Sequence, residues 1–262
     1  MDIKNKLIYN NYNQNFLLKG KIYMIKAVFF DLDGTLLPMD EDEFTKGYFA
    51  LLCKKMCSFG YNKDELINAI WTGTKLMIKN NGSKTNEQVF WEYFEQAFGK
   101  DKLKDKILFD DFYNNEFKNT KMFCKENDLA KEIVSFVKSL GLKVVLATNP
   151  VFPVNGIETR LNFIGLSTKD FDYITTYEVS HYAKPNPKYY EEILNIFNLK
   201  PEEVIMFGNN EVEDGQGASN AGIKVYMVGD YIKKDEENPN KFEHINICDI
   251  KEIIKKECKN ND

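Results

Sequence analysis

The stretch Ile25-Lys26-Ala27-Val28-Phe29-Phe30-Asp31-Leu32-Asp33-Gly34-Thr35 decides the fold of this chain. Its first half is apolar apart from Lys26, and it ends abruptly in two acids and a glycine. A short run of β-branched and aromatic residues is typical of a strand buried on both faces of a parallel sheet. The two aspartates would then stand at the end of that strand.

Similar short apolar runs recur along the chain, with helix-like stretches between them. The predicted strands are residues 142–147, 173–175, 204–207 and 225–228. This alternation predicts an α/β fold with a doubly wound, Rossmann-like parallel sheet. The lysine-rich segment after Tyr231 is expected to fray.

A helical insert interrupts this pattern at residues 39–125. Strand signals vanish there, and aromatic helical patterns dominate, as in Phe90, Trp91, Phe94 and Phe98. We therefore predict a helical cap domain at 39–125, with the α/β core formed by 25–38 and 126–262. Because ligands of open α/β sheets bind at the carboxyl ends of the strands, the cap is expected to cover that edge.

Bulk properties exclude several classes of protein. The net charge of −5 argues against a dedicated nucleic-acid surface, since affinity for duplexes comes from clustered cations. No apolar run approaches the roughly 18 residues of a membrane span, so no membrane partner is expected. The five cysteines form no Cys-x-x-Cys pair, which favours a reducing, cytoplasmic setting. Residues 1–24 are predicted to be an N-terminal extension, and translation could start at Met1 or Met24.

Asp31 and Asp33 present two carboxylates on alternate residues after a buried strand. One carboxylate can attack phosphorus and hold the group as an acyl phosphate, while its neighbour gives a proton to the leaving oxygen. Asp and Gly also build ordinary turns, so the pair taken alone leaves a structural role open.

Together with its apolar flanks, the segment 31–35 resembles the first motif of the haloacid dehalogenase-like hydrolases. Thr148, which follows the strand at 142–147, matches the second motif, whose hydroxyl and neighbouring amides hold phosphate oxygens. Lys184, in Lys184-Pro185-Asn186-Pro187, looks like the third motif, in which a lysine steadies the nucleophile and the phosphoryl charge.

The fourth motif departs from the family pattern. It reads Gly208-Asn209-Asn210-Glu211-Val212-Glu213-Asp214, so Asn209 stands where most relatives carry an acidic magnesium ligand and Asp214 falls on the second acid. Magnesium prefers oxygen ligands and keeps several waters, so an amide oxygen can still coordinate. Affinity for the ion should be weaker than in a fully acidic site. Whether Asn209 or Asn210 replaces the usual acid stays open, and Glu213 could supply further charge.

The resemblance implies a magnesium-dependent phosphatase that hydrolyses a small phosphorylated metabolite through an aspartyl-phosphate intermediate. It assigns catalytic roles to Asp31, Asp33, Thr148 and Lys184, substrate binding to Thr35, Asn149 and Lys184, and Mg2+ binding to Asp31, Asp33, Asn209 and Asp214. The sequence does not indicate the oligomeric state.

Three alternatives share this core. Haloacid dehalogenation uses the same nucleophile without a metal, but members of that branch lack an acid at the place of Asp33. A phosphomutase would return the phosphoryl group to a bound sugar phosphate, and a non-catalytic relative would only bind a ligand.

Two further expectations concern the rest of the chain. Specificity is expected in the insert at 71–75 and 80–86, where Lys75 or Lys84 could meet a substrate anion. Arg160, the only arginine, is expected to serve at the surface or in packing.

Overall fold

A six-stranded parallel sheet organises the chain in a computed structural model that describes residues 24–239 and 241–259. The expected extension therefore lies outside the described residues, except for Met24. The strands are β1 (Ala27–Phe30), β2 (Lys143–Leu146), β3 (Tyr173–Ile174), β4 (Val204–Gly208), β5 (Lys224–Val228) and β6 (Glu243–Ile245), in the order β3-β2-β1-β4-β5-β6. This confirms the predicted α/β fold and five of its strands.

The α-helices pack on both faces of this sheet and over one edge. In chain order they are α1 (Glu41–Met56), α2 (Lys63–Ile78), α3 (Asn86–Phe98), α4 (Lys106–Asn114), α5 (Asp128–Ser139), α6 (Val154–Phe163), α7 (Pro187–Phe197), α8 (Gly217–Asn220) and α9 (Ile250–Lys259). A six-residue π-helical turn, Glu211–Gln216, precedes α8.

Alternation along β1 divides its side chains between two cores. Val28 and Phe30 pack in the larger core with α5, α9 and the insert, while Ala27 and Phe29 pack on the opposite face with α7. Because successive side chains of a strand point to opposite faces, a wholly apolar strand buries both of them.

The segment after Tyr231 contains regular structure that the sequence did not suggest. β6 pairs in parallel with β5, and Ile250 and Ile254 of α9 are fully buried. The expectation that this segment frays is therefore wrong for residues 241–259.

The helical insert leaves and re-enters the core at neighbouring points. Met39 bridges Cys124 in antiparallel fashion, and the backbone N–H of Lys125 donates to the carbonyl of Pro38 at 2.8 Å. Local capping fixes where its helices begin. Asp40 accepts from two backbone N–H groups at the start of α1, and Thr85 forms a capping box with Gln88 at the start of α3.

Strand register brings the motif residues to one edge. Phe30 at the end of β1 pairs with Leu146 of β2 and with Phe207 of β4. The residues that follow these three strands are therefore neighbours at the carboxyl edge, where the strand order reverses and ligands bind in open α/β sheets. Among the described residues, no helix combines the length and the apolar character needed to cross a membrane.

Candidate active site

Asp31, Lys184 and Asp214 form a buried ionic cluster at the carboxyl edge of the sheet. Lys184 Nζ donates to Asp31 Oδ1 at 2.8 Å and to Asp214 Oδ1 at 2.5 Å. The lysine side chain is 1% exposed. Burial alone would lower the pKa of Lys184, but the carboxylates of Asp214 and Asp31 outweigh it and raise that pKa well above its ordinary value. The two carboxylates therefore stabilise the ammonium form of Lys184.

The two carboxylate oxygens of Asp31 differ in how strongly they are hydrogen-bonded. Oδ1 accepts from Lys184, whereas Oδ2 accepts only a long 3.4 Å bond from the Thr35 hydroxyl. Burial raises the pKa of Asp31, Lys184 opposes that rise, and the charges of Asp214 and Asp33 add to it. Oδ2 is therefore the more weakly hydrogen-bonded of the two carboxylate oxygens.

Asp33 is held by Arg160, which the sequence analysis expected at the surface or in packing. Arg160 is fully buried on α6, forms an ion pair with Asp33 Oδ2 and stacks on Phe152 with its guanidinium carbon 4.3 Å from the ring centroid. The expectation of a surface role is thus wrong. Its Nε also donates to the carbonyl of Gly156.

One atom of each partner in this pair is unsatisfied. Asp33 Oδ1 and Arg160 Nη2 are buried without a hydrogen-bond partner among the described residues. Burial raises the pKa of Asp33, and the guanidinium opposes that rise. A buried polar atom without a partner is unusual and marks a place for a ligand or water.

Thr35 and Asn209 join β1 to β4 beside Asp31. The Thr35 hydroxyl lies 3.4 Å from Asp31 Oδ2 and 3.3 Å from Asn209 Oδ1, so both oxygens face one region. Asn209 Nδ2 donates to the carbonyl of Tyr231 at 2.8 Å, which orients its oxygen toward Thr35. Gly34 permits this approach: its φ is +78°, and a Cβ there would lie 2.1 Å from Asn209 Nδ2.

Thr148 and Asn149 line the cavity after β2. The hydroxyls of Thr175 and Tyr189 fix the Thr148 carbonyl at 2.6 and 2.8 Å. Asn149 Nδ2 donates to Glu213 at 2.9 Å, while its Oδ1 is buried without a partner among the described residues. Hydrogen bonds thus hold the Thr148 carbonyl and the Asn149 amide beside the cavity.

The π-helical turn sends its three acids in different directions. Glu211 is fully buried and contacts His244. Asp214 accepts hydrogen bonds from Lys184 and from the backbone N–H groups of residues 209 and 210. Glu213 lines the cavity. Burial raises the pKa of Glu213 to about 7. From the sequence, Glu213 was expected only as a source of extra charge, and the signal for it was the run of acids after a buried strand.

A single cavity of about 270 Å³ connects these groups with the insert. Asp31, Asp33, Thr148, Asn149, Asn209 and Asp214 line its floor, and helices α1 to α4 form its roof. Thr35 does not line it, so its predicted contact with substrate stays a prediction. Lys75 and Lys84 do not line it either, and Lys84 pairs with Glu92 at 2.7 Å.

The charge of the floor suits a divalent cation. Four acids meet there, Asp31, Asp33, Glu213 and Asp214, against two cations, Lys184 and Arg160, which leaves two negative charges when all six are ionised. Within 24–239 and 241–259, no three His, Cys, Asp or Glu side chains converge to hold a metal. The two oxygens that face one region and could bind a metal ion are Asp31 Oδ2 and Asn209 Oδ1. Magnesium keeps several waters readily, so this set fits a weakly held ion.

Known proteins resemble the chain over most of its length. A family profile described as haloacid dehalogenase-like hydrolase matches residues 25–222. The glyceraldehyde 3-phosphate phosphatase of Pyrococcus furiosus is 26% identical over 225 residues, covering 81% of this chain and 85% of that protein. The pyrophosphatase PpaX of Bacillus cereus is 26% identical over 204 residues, covering 78% and 83%.

A solved structure gives the same picture of the fold. The HAD phosphatase from Thermococcus onnurineus superposes with a TM-score of 0.56 and 17% identity, covering 88% of this chain and 98% of that one. At this identity the likeness concerns the fold alone.

Proposed function

The chain belongs to the haloacid dehalogenase-like hydrolases, and we propose that it is a phosphatase that passes the phosphoryl group of a small monoester to Asp31 and then to water. The observation that carries the proposal is the buried Asp31 carboxylate, which lines the cavity with Lys184 Nζ 2.8 Å from its Oδ1. Relatives named as a glyceraldehyde 3-phosphate phosphatase and a pyrophosphatase support this reaction class.

In the first step, Asp31 Oδ2 attacks phosphorus. A bond forms between this oxygen and phosphorus as the bond from phosphorus to the ester oxygen breaks, and the protonated Asp33 carboxyl gives its proton to the departing alkoxide. Burial raises the pKa of Asp33, and its Oδ1 has no hydrogen-bond partner among the described residues, so this oxygen is the one that we assign to carry the proton.

In the second step, water attacks phosphorus and the bond to Asp31 breaks. The Asp33 carboxylate takes the proton of that water, which restores both residues and releases inorganic phosphate. Lys184 offsets the negative charge that develops on the phosphoryl oxygens, and Thr148 and Asn149 bind them.

Mg2+ is the cofactor that we propose, held by Asp31, Asn209 and the backbone carbonyl of Asp33 with water as further ligands. When bound, the ion supplies positive charge against the phosphoryl oxygens and the excess of carboxylates. Asp214 is fixed by three hydrogen bonds, from Lys184 and from two backbone N–H groups, so we assign it to orienting Lys184 and to adding negative charge beside the ion.

Arg160 is assigned as a positioning residue for Asp33. It occupies Oδ2 of that carboxylate, which leaves Oδ1 to exchange protons with the ester oxygen and with water. Because its guanidinium is itself fixed by Phe152 and Gly156, it holds the carboxyl in one orientation.

The helical insert, residues 39–125, is proposed to act as a cap that excludes water from the first step. The start of α3 bonds to the core through the N–H of Asn86, which donates to Ser180 at 2.9 Å, and the N–H of Glu87, which donates to Tyr177 at 2.7 Å. These bonds add to the buried apolar contacts between the insert and the core, so a lid that closes over substrate would have to break both kinds of contact to reopen.

Two properties of the setting complete the proposal. The expected partner is a small phosphorylated metabolite, since the cavity holds about 270 Å³. All five cysteines are free thiols, which supports a cytoplasmic location.

The proposal is tested with p-nitrophenyl phosphate, with and without Mg2+. The wild-type chain should release phosphate only with the ion, and Asp31→Asn should lose at least about a thousandfold in kcat, as expected when a nucleophile is removed. The exposed Asp101→Asn variant is the matched control. Equal turnover by Asp31→Asn and the wild type would refute the proposal.

A further inference from the structure

We infer that the alcohol part of the substrate is an uncharged, mainly apolar group of at least the size of an aromatic ring. This inference rests on the proposed phosphatase function and adds to it the chemical class of the leaving group. It comes from what lines the cavity beyond the reacting carboxylates.

The roof of the cavity is aromatic. Ten of the lining residues carry aromatic rings, and each helix of the insert supplies at least one: Phe49 from α1, Trp71 from α2, Phe90 and Trp91 from α3, and Phe109 from α4. Both tryptophans of the chain are among them. Rings of this kind bind an apolar or aromatic group through buried area and ring stacking.

The rings are packed in place. Phe49 and Trp71 lie 5.5 Å apart between centroids, and Trp91 and Phe109 also lie 5.5 Å apart. The indole N–H of Trp91 donates to the Tyr177 hydroxyl at 3.4 Å. The roof is therefore a preformed surface, which lowers the entropic cost of binding a rigid ligand.

The two cations beside the cavity, Lys184 and Arg160, lie at its floor and are paired with the carboxylates there. Among the described residues, no Lys, Arg or His lines it, whereas Glu41 and Asp110 add carboxylates to those of the floor. The nearby ammonium of Lys233 is bound to Glu41 at 2.6 Å. A substrate that carries a carboxylate or a second phosphate on its alcohol part would meet repulsion here.

The inference is tested with three monoesters of primary alcohols: 2-phenylethyl phosphate, ethyl phosphate and 2-phosphoglycolate. Their leaving groups are all alkoxides, so differences in kcat/KM report chiefly on binding of the alcohol part. Burying a phenyl group should raise kcat/KM at least about tenfold over ethyl phosphate. The carboxylate of 2-phosphoglycolate should lower kcat/KM about tenfold or more relative to ethyl phosphate.

A pair of variants ties this preference to the cavity. Trp71→Ala should lower the ratio of kcat/KM for 2-phenylethyl phosphate to kcat/KM for ethyl phosphate several-fold, because it removes one wall of the site. Phe59→Ala is the matched control, since Phe59 is an aromatic of the insert with 48% exposure that does not line the cavity. Its ratio should equal that of the wild type.

Binding is measured independently of turnover by quenching of the two tryptophans in Asp31→Asn. We expect 2-phenylethyl phosphate to bind more tightly than ethyl phosphate, and 2-phosphoglycolate to bind least. If ethyl phosphate or 2-phosphoglycolate binds as well as the phenyl ester, the inferred substrate class is wrong even when every ester is hydrolysed. If the predicted binding order holds but the wild type hydrolyses none of them, the proposed function fails and the inferred ligand class stands.

Discussion

Arg160 and Asp33 form an ion pair at the edge of the cavity, although 127 residues separate them in the sequence. The pair joins α6 of the core to the loop that follows β1. It is the feature of the site that the family motifs do not contain.

Removing the charge of Arg160 should slow proton transfer more than substrate binding. Arg160→Gln is expected to lower kcat for ethyl phosphate by roughly 10- to 100-fold with little change in KM, because general acid catalysis contributes about that much or more. The loss should be smaller for p-nitrophenyl phosphate, whose leaving group needs little protonation. Arg160→Lys should restore part of the activity toward ethyl phosphate.

The comparison of the two esters separates positioning from damage to the fold. A purely structural role would lower both activities alike and in proportion to the loss of thermal stability. That outcome would remove Arg160 from the mechanism.

Asn209→Asp should strengthen magnesium binding. The change adds a carboxylate next to Asp31 Oδ2 among oxygens that suit Mg2+, so the concentration for half-maximal activation should fall several-fold. The variant should lose about 1 kcal/mol of stability, because the bond from Nδ2 to the Tyr231 carbonyl disappears. Calorimetric titration and the magnesium dependence of activity measure both effects. Full activity of the wild type in excess EDTA would contradict the assignment of a metal.

Gly34→Ala should displace Asn209. The new Cβ would lie 2.1 Å from Nδ2, and a φ of +78° adds about 1–2 kcal/mol of backbone strain. Gly60→Ala is the matched control, because Gly60 has a φ of +86° with nothing within 4 Å of the added carbon. Only the Gly34 variant should also lose affinity for Mg2+. Equal magnesium affinity in the two variants would show that the close approach of Gly34 to Asn209 does not shape the metal site.

Asp172 should stabilise the start of β2 in a pH-dependent way. Burial would raise the pKa of Asp172, but its bonds with Lys143 and the N–H of Val144 outweigh burial and lower it. Since the folded pKa lies below the unfolded one of about 4, this stability is fully present above that pH and is lost as pH falls through the folded pKa.

The variant Asp172→Asn tests the direction in which this stability changes with pH. It should cost about 1 kcal/mol in urea unfolding at neutral pH, because its amide can still accept from Val144 but carries no charge. The difference from the wild type should shrink toward zero well below pH 4. A difference that stays constant or grows on acidification would contradict the assignment.

The fold was predictable because its signals are local. β1 is wholly apolar and is followed at once by two acids, and Thr148 and Asn209 come within two residues of predicted strands in a similar way. Lys184 was placed beside the nucleophile by its resemblance to the third motif, and its Nζ lies 2.8 Å from Asp31 Oδ1. β6 was missed because Glu243–Ile245 is short and half-exposed and has no apolar run.

The missed parts of the site depend on packing that no local pattern reveals. Arg160 lies on a helix between polar and apolar neighbours, and nothing near it in sequence points to Asp33. Glu213 and Asp214 lie in a six-residue π-helical turn, which the sequence did not suggest and which changes the angular spacing of its side chains from that of an α-helix. Both acids line the cavity, and counting from the flanking glycines identified Asp214 without showing that Glu213 lies there too.

The central claim is that Asp31 carries the phosphoryl group. The most direct measurement is to quench the enzyme during turnover, treat it with borohydride and map the peptide that contains Asp31. Reduction of an aspartyl phosphate yields homoserine, so we expect homoserine at Asp31 only when both substrate and Mg2+ were present. Phosphate release without any conversion at Asp31, or with conversion at another carboxylate, would contradict the account.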